Sequence, residues 1–253
     1  MNKVKDRWSQ DLPAYGGWMQ IASPLAAETI SRAGYDCVVL DVQHSEMSVD
    51  TLLPMLMAIE LGGAEPFTRL RWNRPDDLMY ALDMGSCGII VPMVETAQQA
   101  QAIVEAAQYP PHGNRSYGPR RPALRHGPSY AGKARDTLVL LAMIETRKGL
   151  ENVEEILRVA DLDGVFIGPA DLSQSLTGMP RPDSDDPIVV AAVARVLAAA
   201  KAHGKRAGIF CAGAAFAARK AREGFDLVTL PPDLALLDQG ARAALATARA
   251  ATK

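Results

Sequence analysis

Eight short apolar segments recur along the chain, and their alternation with amphipathic segments restricts its fold more than any other feature. The apolar segments are rich in Val, Ile and Leu and mostly lack polar alternation, which is typical of parallel strands buried on both faces. A segment with helical periodicity follows each of them. In chain order the apolar segments read GGWMQIA, CVVLDV, PFTRL, GIIVPMV, TLVLLAMIET, GVFIGP, RAGIF and LVTL.

This repetition predicts one domain, a (β/α)8 TIM barrel that spans residues 1–253. The chain has a usual length for such a barrel. The alternative is a doubly wound open sheet, which usually carries a glycine-rich phosphate-binding turn after its first strand. No such turn follows GGWMQIA, so the sequence favours the barrel.

Composition and charge exclude several classes of partner. The net charge is −2 and no basic run occurs, so neither nucleic acid nor an anionic membrane surface is expected. No apolar stretch approaches the ~20 residues of a membrane-spanning helix. The amino terminus lacks the apolar core of a signal peptide. Three widely spaced cysteines, Cys37, Cys87 and Cys211, argue against a disulfide framework or a structural zinc site, so a cytoplasmic protein is expected.

Residues 109–136 form a connection that is too long for a simple turn. The segment is rich in Pro, Gly, Arg and Tyr and lies between the fourth and fifth predicted strands. Connections of this length are usually functional or disordered. We expect a lid or a subunit-interface segment. Its basic and aromatic side chains would hold the acidic tail of a substrate or form an interface or a solvated face; they are Arg115, Tyr117, Arg120 and Arg121.

Polar side chains follow the apolar segments at the points where the strands end. They are Asp41, His44, Arg69, Glu145 and Asp171. Because the catalytic groups of such barrels lie at the carboxyl ends of the strands, we expect these five to converge on one mouth. Taken singly, Asp171 could be a helix cap and Arg69 a rim ion-pair partner. Glu145 could begin a helix and His44 could be a loop residue, but all these explanations would have to coincide.

The chemistry of these side chains is complementary. The carboxylates of Glu145 and Asp171 suit a hard divalent cation such as Mg2+ or Mn2+. The Arg69 guanidinium supplies a permanent, fork-shaped positive charge for a carboxylate or an enolate. His44 can titrate near neutral pH and act as acid or base, and Asp41 close before it can fix its tautomer and orientation.

The turn at Gly168, Ala170 and Asp171 opens a helix whose free amide groups can hold a substrate carboxylate. A metal, an arginine, a base and a carboxylate cradle together describe the enolisation of a 2-keto acid. No lysine stands at a predicted strand end, so a Schiff-base mechanism is not expected. The rival functions are decarboxylation of oxaloacetate or a similar acid, which uses the same enolate, and a non-catalytic ligand-binding barrel.

The motifs LDVQHS, MIET and GVFIGPADLS, together with VPMVETAQQAQAIVEAAQYPPHGNRSYG, resemble the HpcH/HpaI family. Its best-known members are class II aldolases for 2-keto acids, such as 4-hydroxy-2-oxoheptanedioate aldolase. The resemblance implies a barrel of the phosphoenolpyruvate/pyruvate-binding type. It implies reversible cleavage of 4-hydroxy-2-keto acids to pyruvate, or a related 2-keto acid, and an aldehyde. It also implies a divalent cofactor (Mg2+ or Mn2+, with Co2+ as a further option) and trimers or hexamers that exchange a C-terminal helix.

The same resemblance gives roles to the residues at the strand ends. Glu145 and Asp171 match the metal-binding carboxylates of the family. Arg69 matches the arginine that stabilises the pyruvate enolate. His44 matches the histidine base, and Asp41 matches the acid that partners it.

Further positions match the substrate site of the family. Gly168, Ala170 and Asp171 match the turn whose amides meet the pyruvate carboxylate. Trp18 matches an aromatic residue near the pocket, although it could equally be a barrel-core side chain. Asp83 matches a residue that reaches a neighbouring subunit's site, although plain capping of a helix end is the favoured explanation.

Three residues depart from the pattern of the family. Gln43 stands where Glu is common, Met143 stands where many members have Gln, and Ser116 replaces a glycine. The metal–arginine–histidine set is retained. The departures therefore bear on the aldehyde acceptor and on the detailed contacts around the keto acid.

Overall fold

Eight parallel strands form a closed barrel in the computed structural model, which describes residues 2–251. Each strand pairs with the next, and β8 pairs with β1 from Ala14↔Leu227 to Gly16↔Thr229, which closes the sheet. This arrangement confirms the barrel expected from the sequence. The strands are β1 (Ala14–Met19), β2 (Cys37–Asp41), β3 (Glu65–Arg69), β4 (Gly88–Val91), β5 (Val139–Ile144), β6 (Gly164–Ile167), β7 (Arg206–Ile209) and β8 (Leu227–Thr229).

Helices surround the barrel and connect each strand to the next. Thirteen lie within residues 2–251. They are α1 (Lys3–Ser9), α2 (Pro24–Ser31), α3 (Val49–Gly62), α4 (Pro75–Asp83), α5 (Ala97–Ala107), α6 (Arg120–His126), α7 (Tyr130–Thr137), α8 (Arg147–Glu151), α9 (Val153–Leu157), α10 (Pro169–Thr177), α11 (Pro187–Ala202), α12 (Ala214–Glu223) and α13 (Asp233–Ala250). Among these residues, no helix combines the length and the apolar character that crossing a membrane requires.

Large side chains fill the inside of the barrel, and glycines on neighbouring strands make room for them. Phe67 and Phe166 are fully buried there. A Cβ atom at Gly88 would collide with the Phe67 ring, and one at Gly208 would collide with the Phe166 ring. Because interiors are close-packed, these glycines allow two aromatic rings to share the narrow lumen. The aromatic rings make the barrel a solid support for residues at its ends.

The long connection at residues 109–136 lies at the amino end of the barrel. It follows α5 and leads into the start of β5, and it contains α6 and α7. Arg125 donates to Glu65 Oε2 at 2.8 Å, and Glu65 is the first residue of β3. Arg121 pairs with Glu60 at the end of α3. The expectation of a lid over the barrel's own mouth is therefore wrong, because an α-to-β connection returns the chain to the end where the strands begin. A role at a subunit interface stays a prediction.

Two terminal helices differ in how they contact the barrel. Helix α1, which was not expected from the sequence, closes the amino end and buries Val4 and Trp8. The C-terminal helix α13 lies almost wholly exposed, and Asp233 is its one buried residue within the described range. Apolar side chains of α13 remain in solvent, including Leu237, which is 61% exposed. Use of this helix in oligomerisation stays a prediction.

Candidate active site

A cavity of about 140 Å³ opens at the carboxyl ends of the strands. One water needs roughly 10–15 Å³ measured in this way, so the cavity has room for a small acid with several waters. The residues that line it are Trp18, Gln20, Asp41, His44, Arg69, Met143, Gly168, Pro169, Ala170, Asp171 and Phe210. The structure thus brings together most of the residues singled out in the sequence. Gln20 and Phe210 were missed, although each directly follows a strand and the same rule of strand ends would have found them.

A buried ion pair forms the floor of the cavity. Arg69 Nε donates to Asp41 Oδ1 at 2.9 Å, and Arg69 Nη2 donates to Asp41 Oδ2 at 2.6 Å. The two residues end neighbouring strands in register, which places their side chains on the same side of the sheet. Burial by itself would raise the pKa of Asp41, but the hydrogen bonds and charge of Arg69 outweigh it and hold that pKa below its ordinary value.

The structure changes the role expected for Asp41. Its carboxylate accepts the backbone N–H groups of Gln43 and His44 at 3.2 and 3.1 Å, and no hydrogen bond in the described chain joins it to the imidazole of His44. The expectation that Asp41 fixes the tautomer of His44 is therefore wrong. Asp41 is 0% exposed, so its side chain points inward to Arg69, whereas His44 is exposed on the loop above. Asp41 shapes the backbone of the His44 loop and orients Arg69.

Trp18 lies against the ion pair. Its Nε1 donates to Asp41 Oδ2 at 3.2 Å, and the Arg69 guanidinium carbon lies 4.9 Å from the centre of its ring. The ring also stacks on Phe166 and meets the edge of Phe210. Trp18 is both a core aromatic and a wall of the cavity, so the two explanations offered for it hold together.

Glu145 provides a buried carboxylate with one oxygen free of protein partners. Its Oε1 accepts the Met93 N–H at 2.7 Å, whereas its Oε2 is buried with no hydrogen-bond partner among the described residues. Burial, with a further contribution from the charge of Asp171, raises the pKa of Glu145 to about 7, although the Met93 N–H and the charge of Arg69 oppose this. A buried carboxylate oxygen without a partner is costly, and a bound cation would satisfy it.

The start of α10 is fitted closely around Glu145. A Cβ atom at Gly168 would collide with Glu145 Oε2 and with the Met143 side chain. Gly168 caps the helix and Pro169 occupies its first turn. The N–H groups of Ala170 and Asp171 therefore belong to the first turn, where they have no intrahelical acceptor. This confirms the predicted helix-opening turn, and both Ala170 and Asp171 line the cavity.

The donor set fits a hard divalent cation. Glu145 and Asp171 supply carboxylate oxygens, the ligands that Mg2+ and Mn2+ prefer. No group of three or more His, Cys, Asp or Glu side chains suited to a metal occurs among residues 2–251. Water and substrate oxygens would therefore fill the other coordination positions, as is common for magnesium.

The raised pKa of Glu145 would make metal binding by this carboxylate dependent on pH. We expect the affinity of the metal-free protein for Mn2+ to weaken about tenfold for each pH unit below about 7, because a proton on Glu145 competes with the cation. Above that pH the affinity should level off. Titration with Mn2+, followed by electron paramagnetic resonance, checks this between about pH 5.5 and 8.5. An affinity that is constant from pH 6 to 8 would contradict the assignment of Glu145.

Asp83 lies away from this cavity. It ends α4, close to the start of β4, and its Oδ1 accepts a hydrogen bond from Arg115 Nη2 at 2.6 Å. Arg115 is itself 1% exposed, so its charge is engaged inside the protein and cannot hold a substrate at the mouth of its own barrel. Within one chain Asp83 is therefore not part of the site, and its reach into a neighbouring subunit stays a prediction.

Comparison with known proteins identifies the family. The model for the HpcH/HpaI aldolase/citrate lyase family matches residues 14–237. The chain belongs to this family. The match covers every strand of the barrel and all of the cavity-lining residues, which confirms the resemblance found in the motifs.

Members of the HpcH/HpaI family with curated names cover nearly the whole chain. A hydroxypyruvate/pyruvate aldolase from Rhizorhabdus wittichii is 52% identical over 99% of this chain and 100% of its own length. A 4-hydroxy-2-oxo-heptane-1,7-dioate aldolase from Salmonella arizonae is 36% identical over 96% of this chain and 92% of its own. These relatives support a carbon–carbon lyase.

Solved structures of the family share the fold. An HpcH/HpaI aldolase/citrate lyase family protein from Burkholderia cenocepacia J2315 is 33% identical, with a TM-score of 0.90, and covers 98% of this chain and 100% of its own. The citrate synthase SbnG is 31% identical, with a TM-score of 0.88, and covers 100% of this chain and 99% of its own. Different chemistry on closely similar barrels means that function depends on the residues at the mouth.

Proposed function

We propose that this chain is a metal-dependent class II aldolase that reversibly cleaves 4-hydroxy-2-keto acids. The products would be an aldehyde and a small 2-keto acid, pyruvate or hydroxypyruvate. The observation that carries the proposal is the partnerless, buried Oε2 of Glu145, which lies against Gly168 at the edge of the cavity that Asp171 and Arg69 line. The aldolase names of the relatives at 52% and 36% identity support the choice of reaction.

Different residues of the mouth would bind different groups of the substrate. Glu145 and Asp171 would hold Mg2+ or Mn2+, which supplies a Lewis acid for the 2-keto oxygen. The first-turn amides of Ala170 and Asp171 would accept the carboxylate of the keto acid. The Trp18 ring would cover the bound 2-keto acid. The cavity of about 140 Å³ is too small to enclose a large keto acid.

Cleavage begins with removal of a proton from the 4-hydroxyl group, for which His44 is the base. The C4 oxygen then forms a carbonyl as the C3–C4 bond breaks, and the electron pair of that bond passes into the keto acid as an enolate. Arg69 uses its Nε and Nη2 to bind Asp41. The N–H groups of its Nη1 have no partner among the described residues, so they would donate to the enolate oxygen. His44 returns the proton that it removed, or an equivalent proton from water, to C3, which gives the 2-keto acid and balances atoms and charge.

The proposal also covers the oligomeric state and the cellular location of the protein. We infer a cytoplasmic homo-oligomer, a trimer or a hexamer, in which the exposed apolar side chains of α13 pack on another copy. In such an assembly Asp83 would approach a neighbouring subunit's mouth. Gln43 and Met143 would affect which aldehyde and which keto acid are accepted.

The proposed function is tested by measuring release of keto acid from 4-hydroxy-2-keto acids. Assays with Mg2+ or Mn2+, before and after EDTA, should give metal-dependent keto acid and aldehyde in equal amounts. The reverse reaction should join pyruvate or hydroxypyruvate to an aldehyde. Carbon dioxide from oxaloacetate with no aldol cleavage would instead support a decarboxylase. No turnover of either substrate, despite bound Mn2+, would support a ligand-binding barrel.

Replacement of His44 by alanine should separate proton transfer from metal binding. We expect kcat to fall by about 10²–10⁴, the usual contribution of a general base. Affinity for Mn2+ should change little, because His44 is exposed and the bond from its backbone N–H to Asp41 remains. Turnover and Mn2+ titration measure the two effects. A variant that loses metal affinity and turnover together would contradict the role of His44 as base.

A further inference from the structure

A buried carboxylate at the start of α13 holds the end of β1. Asp233 is 4% exposed, and its Oδ1 accepts the Gln20 N–H at 2.8 Å. Its Oδ2 accepts the Ile21 N–H at 3.0 Å, and its Oδ1 also accepts the Leu234 N–H at 2.9 Å. Bonds from backbone N–H groups to a charged carboxylate are roughly twice as strong as those between neutral groups. Three such bonds at a helix N-terminus offset the cost of burying the charge.

The residue that this carboxylate holds reaches into the candidate active site. Gln20 directly follows β1 and lines the cavity. Its Nε2 lies 3.4 Å from Asp41 Oδ2 and 3.5 Å from the carbonyl oxygen of His44. The Gln20 amide therefore bridges the carboxylate that orients Arg69 and the main chain that carries His44.

The lengths of the hydrogen bonds show whether the backbone or the side chain of Gln20 sets the position of its amide group. Both side-chain bonds of Gln20 are at the long limit for a hydrogen bond, so they cannot fix the amide by themselves. The backbone bond to Asp233 is short and buried. The position of the Gln20 amide is therefore set by its backbone, and its backbone is set by Asp233.

We propose that Asp233 and Gln20 are positioning residues for the His44 loop. Asp233 fixes the exit of β1 and so places the Gln20 amide between Asp41 and the main chain of His44, where its two long contacts limit the movement of that loop. Because Asp233 is the one buried residue of α13 in the described range, it also connects the placement of this helix to the mouth. The catalytic consequence rests on the proposed aldolase function, whereas the ordering of the loop does not.

The variants Asp233→Asn and Gln20→Ala test the connection. Asparagine has the shape of aspartate but turns an NH2 group toward the backbone N–H of either Gln20 or Ile21, the two residues that follow β1. We expect each variant to lose kcat by about ten- to a hundredfold through misplacement of the loop, with Mn2+ affinity unchanged. The double variant should lose no more kcat than the less active of the two single variants, since both changes break the same connection.

Amide hydrogen exchange gives a readout that does not depend on turnover. In both variants, exchange should accelerate at residues 42–46 as well as at residues 20–21. Asp36→Asn is the matched control, because Asp36 accepts the Tyr15 N–H at 2.8 Å near the opposite end of the same strand. We expect that variant to lower the melting temperature and to leave kcat and exchange at residues 42–46 unchanged.

Two results would overturn the proposal. One is faster exchange at residues 20–21 alone, with residues 42–46 as protected as before. The other is a double variant whose losses in kcat multiply. Should the unmodified protein show no aldol cleavage, the proposed function fails and the exchange data alone decide. Should Asp233→Asn not fold, Asp233→Ser keeps one oxygen acceptor and takes its place.

Discussion

Glu145→Gln should abolish most metal binding and most turnover. Glutamine keeps the shape of the side chain and an acceptor for the Met93 N–H, but it replaces the free Oε2 and its negative charge. We expect Mn2+ affinity to fall at least about a hundredfold and kcat to fall about 10³, because the cation supplies several kcal/mol of charge stabilisation. Titration with Mn2+ and steady-state kinetics measure both effects.

The thermal stability of the same variant shows whether it is intact. The pKa of Glu145 is raised in the folded protein, so the stability associated with its proton is present at low pH and is lost as pH rises toward about 7. Without metal, Glu145→Gln should therefore melt at a higher temperature than the unmodified protein at pH 8. The difference should shrink toward pH 5, where Glu145 is protonated.

Glu95→Gln is a suitable control for this variant. Glu95 also follows β4, but its Oε2 pairs with Lys148 and its Oε1 accepts a hydrogen bond from Thr146, so neither oxygen is free for a cation. The Glu95→Gln variant should keep its Mn2+ affinity and kcat within about twofold of those of the unmodified protein, since a partly exposed ion pair contributes little. Full metal affinity in Glu145→Gln would show that the cation site lies elsewhere.

Arg69→Met should damage both stability and turnover. Methionine keeps much of the side-chain volume but leaves the 0% exposed Asp41 carboxylate without its partner. Breaking a buried pair in this way costs about 3–5 kcal/mol of unfolding free energy. Loss of the donor to the enolate should lower kcat by about 10²–10³. Denaturant unfolding and steady-state kinetics measure the two losses.

A second change separates the two effects. In the double variant Asp41→Asn with Arg69→Met, no buried charge is left unpaired, so much of the unfolding free energy should return. Turnover should stay low, because the guanidinium is still missing. If the double variant regains turnover, Arg69 acts only on stability and the assigned role in the reaction is wrong. Arg69→Lys should lie between, since lysine retains a charge but not the fork of donors.

Local sequence patterns were sufficient for the barrel and for most of the mouth. Apolar runs mark parallel strands, and the rule that catalytic groups follow strands selected Asp41, Arg69 and Glu145 without reference to any partner. Gln20 and Phe210 also follow strands. They were missed because an amide and a phenyl ring do not titrate and so give no sign of a catalytic role. Asp233 gives no such signal, since an acid at the start of a helix usually serves only the helix.

The sequence by itself determined the order of the eight strands and of the helical segments that follow them, because the periodicity of burial is a local property of the chain. It also determined which residues reach the carboxyl end of the barrel. Only the tertiary structure decided what those residues contact. The Asp41 side chain pairs with the guanidinium of Arg69, 28 residues away, and not with the imidazole of His44, three residues away, because it is buried and points to the neighbouring strand. The packing of α13 against β1, over 200 residues apart in the chain, likewise placed Asp233 on Gln20.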